Sequence, residues 1–400
     1  MTILVADKLS QTGLDRLAAA GHEVISRPEL TGDALQAALE QHNPSVLVVR
    51  STKVPDYVLA AGADLQLVVR AGAGYDTIDV AGASARGVFV ANCPGKNAVA
   101  VAELTMGLIL SLDRRIPDNV SDARAGVWNK AAYAKAAGLK GRVLALIGMG
   151  NIGRAVARRA ASFGMPVRAW SRSMTPQKAD KWGVTWCESP ADAVEGADIV
   201  SLHVAATDAT RGLASRELFE AMKPGAMFIN TTRSSVVDED ALVWALEEKG
   251  VRAGLDVFAE EPAAKTGEFE SRIASHPSVY ITHHIGASTA QAQEAIADEA
   301  VRVVLQFAET GEVPNCVNMA QRSDATHQLT VRHLDQVGVL ASVLDQMRYA
   351  DWNVQEMENL LFQGGEAACA HIRFHGKPNP EVLERIARHP DVLAISIVEL

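Results

Sequence analysis

A glycine-rich turn constrains the fold of this chain more than any other feature. The apolar residues 142–148 (RVLALIG) run directly into it, and a helical pattern follows it as far as Phe163. In this strand–turn–helix setting the first glycine makes the turn, the second lets the backbone approach a pyrophosphate, and the third packs helix on strand. The free N–H groups of the helix then face the phosphates. The turn therefore predicts a dinucleotide site, although glycines that merely shape a βα turn are the alternative. The predicted contacts are Gly148, Gly150, Asn151, Ile152 and Gly153.

Short apolar segments alternate with helical patterns along residues 1–318. This alternation predicts βα units, and hence an α/β protein with two doubly wound parallel sheets. The residues after 325 follow a different order of strand, helix, strand, strand, helix and strand, which is the ferredoxin-like βαββαβ plan. The predicted domains are residues 1–95 with 288–318, residues 96–287, and residues 325–400.

Composition excludes several classes of function. A net charge of −10 over 400 residues argues against binding to nucleic acid or to anionic membranes. The N-terminus lacks the pattern of a signal peptide, and the apolar stretch 98–112 contains Glu103 and is too short to span a bilayer. The four cysteines are scattered, without the spacing of a metal site. We expect a cytoplasmic, metal-free protein.

The strand after the glycine turn carries the signal for cofactor choice. An acidic residue at the end of this strand is typical of NAD binding, since it binds the ribose hydroxyl. The strand predicted at residues 167–170 is followed instead by Ser171 and Arg172, a pair suited to a 2′-phosphate. We therefore predict that the cofactor is NAD or NADP, with NADP accepted. The alternative is that Arg172 stacks on adenine or faces solvent.

Three apolar segments farther along the chain are each followed by a polar residue that could take part in catalysis. AMFIN leads to Arg233, AGLDVF to Glu261, and VYIT to His284. The carboxyl ends of parallel strands lie where ligands bind in open α/β sheets. His284 can act as a general base, Glu261 can orient it, and Arg233 can clamp a carboxylate and polarise a carbonyl. Taken singly, each of the three residues could equally be structural.

Four segments of the chain together resemble one enzyme family. GMGNIGRAVARRAASFG, FINTTRSSVVDEDALVWAL, GLDVFAEEP and HHIGAST closely resemble the D-2-hydroxyacid dehydrogenases, and the resemblance covers residues 1–318. It implies a flavodoxin-like substrate domain, a Rossmann cofactor domain, and catalytic roles for Arg233, Glu261 and His284. Ser234 and Ser235 depart from the family, which has a glycine pair after the arginine. By resemblance, the cofactor also contacts His203, Thr207, Thr232 and Asp256, though Asp256 could equally cap its strand end.

Two stretches of the first domain narrow the resemblance to one subgroup. Residues 49–54 and 69–74 look like the corresponding runs of the D-3-phosphoglycerate dehydrogenases. Arg50 at a strand end can meet a phosphate, and the backbone at Gly72 can reach a carboxylate. Lys53 is better explained as a solvated surface residue. Lys130 could come from a second subunit. The predicted substrate contacts are Arg50, Ser51, Arg70, Ala71, Gly72, Asn97 and Lys130.

The C-terminal residues resemble the ACT domain, a small ligand-sensing module. In serine-inhibited relatives, an HxNxPG loop and a later asparagine bind the effector across a pair of domains. The matching positions here are His333, Asp335 and Asn353. Asp335 and Val337 replace the usual asparagine and proline, so the effector need not be serine. The alternative is a domain used only for oligomerisation.

The resemblance implies an oligomeric dehydrogenase, a homodimer or homotetramer, acting on a phosphorylated hydroxy acid. The reaction expected is NAD(P)-dependent oxidation of 3-phospho-D-glycerate to 3-phosphohydroxypyruvate, in serine biosynthesis. One alternative keeps the chemistry but takes glyoxylate, hydroxypyruvate or another 2-oxo acid. The alternative from another class is a non-catalytic, nucleotide-sensing binding protein, against which the intact trio and the acidic charge both count.

Overall fold

The computed structural model describes residues 1–262, 266–320 and 322–400 of the chain. It divides into two compact units, Met1–Asn318 and Met319–Leu400. The larger unit contains two parallel sheets, and the smaller unit contains one antiparallel sheet. The predicted α/β class of the first 318 residues is confirmed.

The first sheet has five parallel strands in the order β2-β1-β3-β4-β5. Its central strands are buried on both faces, which explains their continuous apolar sequences. The second strand (EVIS) was not predicted, because it lies at the sheet edge, is partly exposed, and begins with a charged residue. The elements of this region are β1 (Thr2–Val5), α1 (Gln11–Ala19), β2 (Glu23–Ser26), α2 (Gly32–His42), β3 (Val46–Val49), α3 (Asp56–Leu59), β4 (Leu67–Arg70), α4 (Val80–Ala85) and β5 (Phe89–Asn92).

The second sheet has seven parallel strands in the order β12-β11-β10-β9-β6-β7-β8. Strand β6 lies between β7 and β9, so the direction of winding reverses at its carboxyl end, where ligands bind in such sheets. Its strands are β6 (Leu144–Ile147), β7 (Val167–Trp170), β8 (Thr185–Trp186), β9 (Ile199–Leu202), β10 (Met227–Asn230), β11 (Arg252–Leu255) and β12 (Val279–Ile281). The accompanying helices are α5 (Ala98–Arg114), α6 (Ile116–Arg124), α7 (Lys130–Tyr133), α8 (Asn151–Ser162), α9 (Pro176–Trp182), α10 (Pro190–Val194), α11 (Arg216–Ala221), α12 (Glu239–Glu248) and α13 (Ala290–Thr310).

Helices α5 and α13 connect the two sheets of the larger unit. Helix α5 leaves the first sheet after β5 and buries its apolar residues in the core of the second sheet. Helix α13 returns after β12 and buries Ile296 and Val303 against the first sheet. Each sheet therefore has its own core, and the carboxyl ends of both sets of strands lie in one unit.

The smaller unit has the element order βαββαβ, and its antiparallel strands follow the order β14-β15-β13-β16. The ferredoxin-like arrangement predicted from the sequence is present. Alternate residues of β13 and β15, such as Leu329 and Phe374, face a core shared with the two helices. The elements are β13 (His327–Leu334), α14 (Val339–Tyr349), β14 (Asn353–Leu361), β15 (Ala367–His375), α15 (Pro380–Ala387) and β16 (Val392–Glu399).

Neither a membrane-spanning helix nor a cluster of metal-binding side chains is present in the described residues. None of the helices in residues 1–262, 266–320 and 322–400 is both long and apolar enough to cross a bilayer. Within the same ranges, no group of three His, Cys, Asp or Glu side chains could hold a metal ion.

Candidate active site

The histidine and the glutamate of the predicted trio meet in the structure. Glu261 follows β11 and His284 follows its neighbour β12, so both lie at the same edge of the sheet. The distance from His284 Nδ1 to Glu261 Oε2 is 2.7 Å, and Glu261 Oε1 accepts the backbone N–H of Phe258 at 2.9 Å. The carboxylate is therefore fixed on one side, and it in turn fixes the imidazole on the other.

A buried carboxylate shapes the loop that carries His284. Asp256 is 1% exposed and accepts hydrogen bonds from the Thr282 hydroxyl at 2.5 Å and from the backbone N–H groups of Ile285 and Gly286, both at 2.9 Å. Between these contacts, His284 has a φ of 51°, in a region that non-glycine residues rarely occupy. Asp256 thus holds the histidine loop. Its predicted contact with the cofactor stays a prediction.

Arg233, the third member of the trio, reaches toward the first sheet. It follows β10, and its Nε and Nη2 both donate to Asp76 at 3.2 Å, while Nη1 donates to the Thr232 carbonyl at 2.8 Å. Burial disfavours the charged form of Asp76, but hydrogen bonds and charge from Arg233 outweigh it and hold the pKa of Asp76 below its ordinary value. Asp76 lies in the loop after β4 and was not predicted as a functional residue from the sequence.

A cavity of about 960 Å³ lies beside the His284–Glu261 pair. Most of the predicted substrate residues line it, although they come from different elements of the chain. Lys130 does not: it is exposed at the start of α7. The predicted residues at the cavity are Arg50, Ser51, Arg70, Ala71, Gly72, Asn97, Glu261 and His284.

Arg70 is the most perturbed cation of this cavity. Its burial, followed by repulsion from Arg233 and Arg50, lowers its pKa to about 10. Its guanidinium lies against Gly72, where a Cβ would overlap Nη1. In the described part of the chain, the buried Arg70 Nε has no hydrogen-bond acceptor and the buried Asn97 Oδ1 has no donor. The cavity therefore presents unsatisfied polar atoms and several cations, as an anion site does.

Asp7 holds the loop that carries Arg50. Its Oδ2 accepts the backbone N–H groups of Arg50 at 2.7 Å, Ser51 at 3.0 Å and Thr52 at 2.9 Å. Asp7 is 7% exposed and lies two residues beyond β1, which pairs with β3. An acidic residue after a wholly apolar segment is visible in the sequence, but its hydrogen-bond partners are not.

The glycine turn fits a dinucleotide on steric grounds. Gly148 has a φ of 107° and lies against the backbone of His203, where a Cβ would clash. A Cβ on Gly153 would overlap the carbonyl of Gly148, whereas one on Gly150 would meet no atom within 4 Å. Asn151 and Ile152 open helix α8. The three glycines thus occupy the positions for turning, open approach and close packing.

Other predicted cofactor residues surround the same end of the sheet. His203 is buried, and burial lowers its pKa to about 3, so its ring is neutral. Its Nε2 lies 2.9 Å from the Ser201 hydroxyl, while Nδ1 has no partner among the described residues. The Thr232 hydroxyl donates to Asn230 Oδ1 at 2.6 Å. Thr207 is exposed and caps the turn Asp208–Thr210.

Ser171 and Arg172 follow β7, the neighbour of the strand that carries the glycine turn. Arg172 is exposed, and no salt bridge to it is present within the described ranges. Lys178 approaches the same loop, since its Nζ donates to the Ser173 carbonyl at 2.6 Å. This loop offers cations where an acidic residue would stand in an NAD-selective site.

The predicted effector residues do not converge within one chain. His333 is 1% exposed, and its ring contacts the Leu334 carbonyl at 2.7 Å and Asn359 Oδ1 at 3.2 Å. Along β15, His333 pairs with Ala368 while Asn353 pairs with His375, seven residues away or about 23 Å. Asp335 and Asn353 are exposed. An effector site that uses all three residues needs two chains, and Asn359 is a partner that the sequence did not reveal.

Comparison with known proteins identifies the family. A family model described as D-isomer specific 2-hydroxyacid dehydrogenase, NAD binding domain, matches residues 106–286. The chain is 41% identical over 269 residues to a hydroxypyruvate reductase of Thermotoga maritima, a match that covers 65% of this chain and 84% of that protein.

Two further relatives share most of this chain. The chain is 36% identical over 320 residues to the D-3-phosphoglycerate dehydrogenase of Bacillus subtilis, covering 79% of this chain and 59% of that enzyme. It thus spans about three fifths of the length of that relative. A solved structure of an NADPH-dependent glyoxylate/hydroxypyruvate reductase from Sinorhizobium meliloti, in complex with NADP and malonate, is similar with a TM-score of 0.67 and 29% identity, covering 80% of this chain and 99% of that one. The chain belongs to the D-isomer-specific 2-hydroxyacid dehydrogenase family and carries its NAD-binding domain.

Proposed function

We propose that the protein is an NAD(P)-dependent dehydrogenase that oxidises 3-phospho-D-glycerate to 3-phosphohydroxypyruvate. The observation that carries the proposal is the 2.7 Å contact between His284 and Glu261 at a cavity that also contains Arg50 and Arg70. An acid–base pair and an anion site then share one space. A dinucleotide held at the glycine turn, Gly148 to Gly153, would supply the nicotinamide as acceptor for the hydride of the substrate carbon.

His284 moves the proton of the reaction. Because Glu261 accepts from Nδ1–H, the neutral ring presents Nε2 as an acceptor for the substrate hydroxyl proton. Once His284 is protonated, the carboxylate of Glu261 stabilises the imidazolium. In the reverse direction the same nitrogen returns the proton to the carbonyl oxygen.

Arg233 binds the substrate carboxylate and polarises the carbonyl beside it. Its guanidinium lies near enough to Arg70 for its positive charge to contribute to the lowered pKa of Arg70. Two guanidinium groups can hold a planar carboxylate with charge-assisted hydrogen bonds. The Gly72 N–H, predicted to reach a carboxylate, instead donates to the Arg70 carbonyl at 2.8 Å, and the bare backbone there makes room for the Arg70 guanidinium.

The phosphate is assigned to Arg50, at the loop held by Asp7. The kinship with D-3-phosphoglycerate dehydrogenases supports this assignment. The replacement Arg50→Gln should then lower kcat/KM for 3-phosphohydroxypyruvate by about 10–100-fold, the value of a lost charge-assisted hydrogen bond. Turnover of unphosphorylated hydroxypyruvate should stay within about twofold. Equal losses of kcat/KM on the two substrates would show that Arg50 does not bind the phosphate.

A second candidate function is reduction of glyoxylate or hydroxypyruvate. It is favoured by the 41% identity with a hydroxypyruvate reductase and by the exposed Arg172. The decisive comparison is kcat/KM of the unaltered chain on phosphorylated and unphosphorylated substrates. A preference for glyoxylate or hydroxypyruvate would favour the reductase, and no turnover of any hydroxy acid or 2-oxo acid would favour the binding protein.

Arg172 should also set the preference between the two cofactors. Because its guanidinium has no carboxylate partner among the described residues, it is free to pair with a 2′-phosphate. Replacing it with serine should weaken NADP binding about tenfold or more and leave NAD binding nearly unchanged. A wild-type chain that strongly prefers NAD would contradict this assignment.

The smaller unit is proposed to act as an ACT domain in a homodimer or homotetramer. Its βαββαβ order and the exposed Asp335, which can accept from an α-ammonium group, support an amino-acid effector. Melting curves and initial rates with L-serine and other amino acids test this role. If none of them shifts the melting temperature or the rate, oligomerisation alone remains as the role of the unit.

A further inference from the structure

Asp76 has no assigned role, yet it makes the closest ionic contact of the proposed catalytic arginine. Both oxygens of Asp76 accept from Arg233, one from Nε and one from Nη2, at 3.2 Å each. The two residues come from different sheets of the larger unit and are 157 positions apart in the chain. A two-point contact of this kind fixes the plane of the guanidinium as well as its place.

The hydrogen bonds of Arg233 leave a defined edge of the guanidinium open. The side chain has five N–H donors, of which Asp76 takes two and the Thr232 carbonyl takes one. The remaining N–H on Nη1 and the remaining N–H on Nη2 have no partner among the described residues. Two terminal N–H groups of one guanidinium are what a carboxylate binds side by side.

Gly74 shows that the chain keeps space for this contact. A Cβ at position 74 would overlap Arg233 Nη2 and lie 2.9 Å from Asp76 Oδ1. The pair therefore packs directly against bare backbone and is not a contact between two free surface side chains. Asp76 also offsets the repulsion between Arg233 and Arg70, since its charge acts on both.

We propose that Asp76 is the positioning residue of Arg233, holding one edge of the guanidinium so that the other edge faces the substrate carboxylate. The proposal rests on the proposed function of Arg233 in binding that carboxylate. An opposing effect also acts, because the negative charge of Asp76 by itself repels an anionic substrate. The two effects have opposite signs when the charge is removed, so one substitution distinguishes them.

The test uses the full chain and its variants Asp76→Asn and Asp76→Glu. Asp56→Asn is the matched control, because Asp56 also pairs with an arginine, Arg86. The two pairs are similarly exposed: the exposed side-chain fractions are 32% for Arg86 and 57% for Asp56, against 30% for Arg233 and 53% for Asp76. Turnover of hydroxypyruvate gives kcat and KM. Calorimetric titration with oxalate, in the presence of reduced dinucleotide, gives anion binding without turnover.

A positioning role predicts that Asp76→Asn loses about tenfold or more in kcat and in oxalate affinity, although a repelling charge has gone. Its melting temperature should stay near that of the parent. Asp76→Glu, which keeps the charge but lengthens the side chain, should fall between the parent and Asp76→Asn, and it gives the same comparison if Asp76→Asn fails to fold. Asp56→Asn should match the parent.

Tighter oxalate binding with unchanged kcat in Asp76→Asn would overturn the proposal, because Asp76 would then only repel anions. Parent-like values for both Asp76 variants would overturn it as well. A parent chain that turns over no 2-oxo acid would refute the proposed function instead. The oxalate titration would still decide whether Asp76 positions Arg233.

Discussion

At the scale of single residues, three aspartates hold the groups to which the proposed chemistry is assigned. Asp7 holds the backbone of the Arg50 loop, Asp256 holds the loop of His284, and Asp76 holds the side chain of Arg233. Asp7 and Asp256 follow β1 and β11 closely, Asp76 lies in the loop after β4, and each contacts a residue that follows a different strand. The candidate functional residues are therefore held by carboxylates from other parts of the larger unit.

Asp7→Asn tests this arrangement at the Arg50 loop. The amide oxygen can replace Oδ2, but it carries no negative charge, and the NH2 group replaces Oδ1, which now accepts from the Ser51 hydroxyl. We expect the free energy of unfolding to fall by about 1–3 kcal/mol, as measured by urea denaturation. Asp15→Asn, on the exposed face of α1, is the control. If both variants share the midpoint of the parent, Asp7 contributes nothing to stability.

The sequence pointed to the candidate functional side chains, but not to the residues that contact them in the structure. Arg233, Glu261 and His284 could be found because each follows an apolar segment, and strand ends meet at one edge of a parallel sheet. Asp76 and Asn359 could not be found in this way. Their partners lie 157 and 26 positions away along the chain, and no local pattern records such pairings.

At the scale of elements, the βα turn after β6 combines three glycines with different tasks. Gly150 has ordinary backbone angles and open space around it, whereas Gly153 packs against the carbonyl of Gly148. We expect Gly150→Ala to keep the melting temperature of the parent but to weaken dinucleotide binding about tenfold or more, because its methyl group occupies the path of the pyrophosphate. Fluorescence titration with the reduced dinucleotide measures this.

Gly153→Ala is the counterpart of that substitution in the same turn. Its methyl group would overlap backbone, so the turn must shift, and we expect a loss of about 1–3 kcal/mol in the free energy of unfolding. Comparing the two variants therefore distinguishes an effect on dinucleotide binding from an effect on helix packing. Parent-like dinucleotide affinity in Gly150→Ala would mean that the pyrophosphate does not pass that backbone.

The buried histidine at the end of β9 makes stability depend on pH. Burial lowers the pKa of His203 to about 3, while the unfolded chain takes up this proton near pH 6.5. Below pH 6.5 the unfolded state therefore binds more protons, and stability falls with pH by about 1.4 kcal/mol per unit until the folded pKa is reached. His203→Gln should lose less stability than the parent between pH 7 and pH 5, by about 2 kcal/mol. Equal losses in urea denaturation at these two pH values would contradict a neutral, buried His203.

At the scale of the whole molecule, the chain has two compact units with separate cores. The core of the smaller unit consists of residues between Leu329 and Val392, and those of the larger unit end at Phe307. We expect calorimetry to show two unfolding transitions. Phe374 is fully buried and stacked on Trp352, so Phe374→Ala should lower the free energy of unfolding of the smaller unit by about 3–5 kcal/mol. One transition should then move to lower temperature, and the other should stay in place. A single transition that moves as a whole would show that the units unfold together.

The succession of two parallel sheets and one ferredoxin-like unit along the chain was predictable, but the strands at the sheet edges were not. Strong apolar segments predicted the central strands, while β2 and β8 are short, partly exposed edge strands with weak patterns. The glycine turn marked the point where the second sheet reverses its winding. Substrate choice remained open because it depends on the contacts of Arg50 and Arg70, which are formed by folding and have no sequence pattern of their own.

The central claim is that His284, held by Glu261, moves the proton in a reaction that also transfers hydride to or from a nicotinamide. The most direct measurement is the steady-state rate of reduced-dinucleotide oxidation with 3-phosphohydroxypyruvate and hydroxypyruvate, in the parent, in His284→Gln, and in the control His42→Gln at the end of α2. We predict a loss of about 10²–10⁴-fold in kcat for His284→Gln, with dinucleotide affinity within about twofold of the parent and with a parent-like control. Turnover by His284→Gln at the rate of the parent would contradict the account.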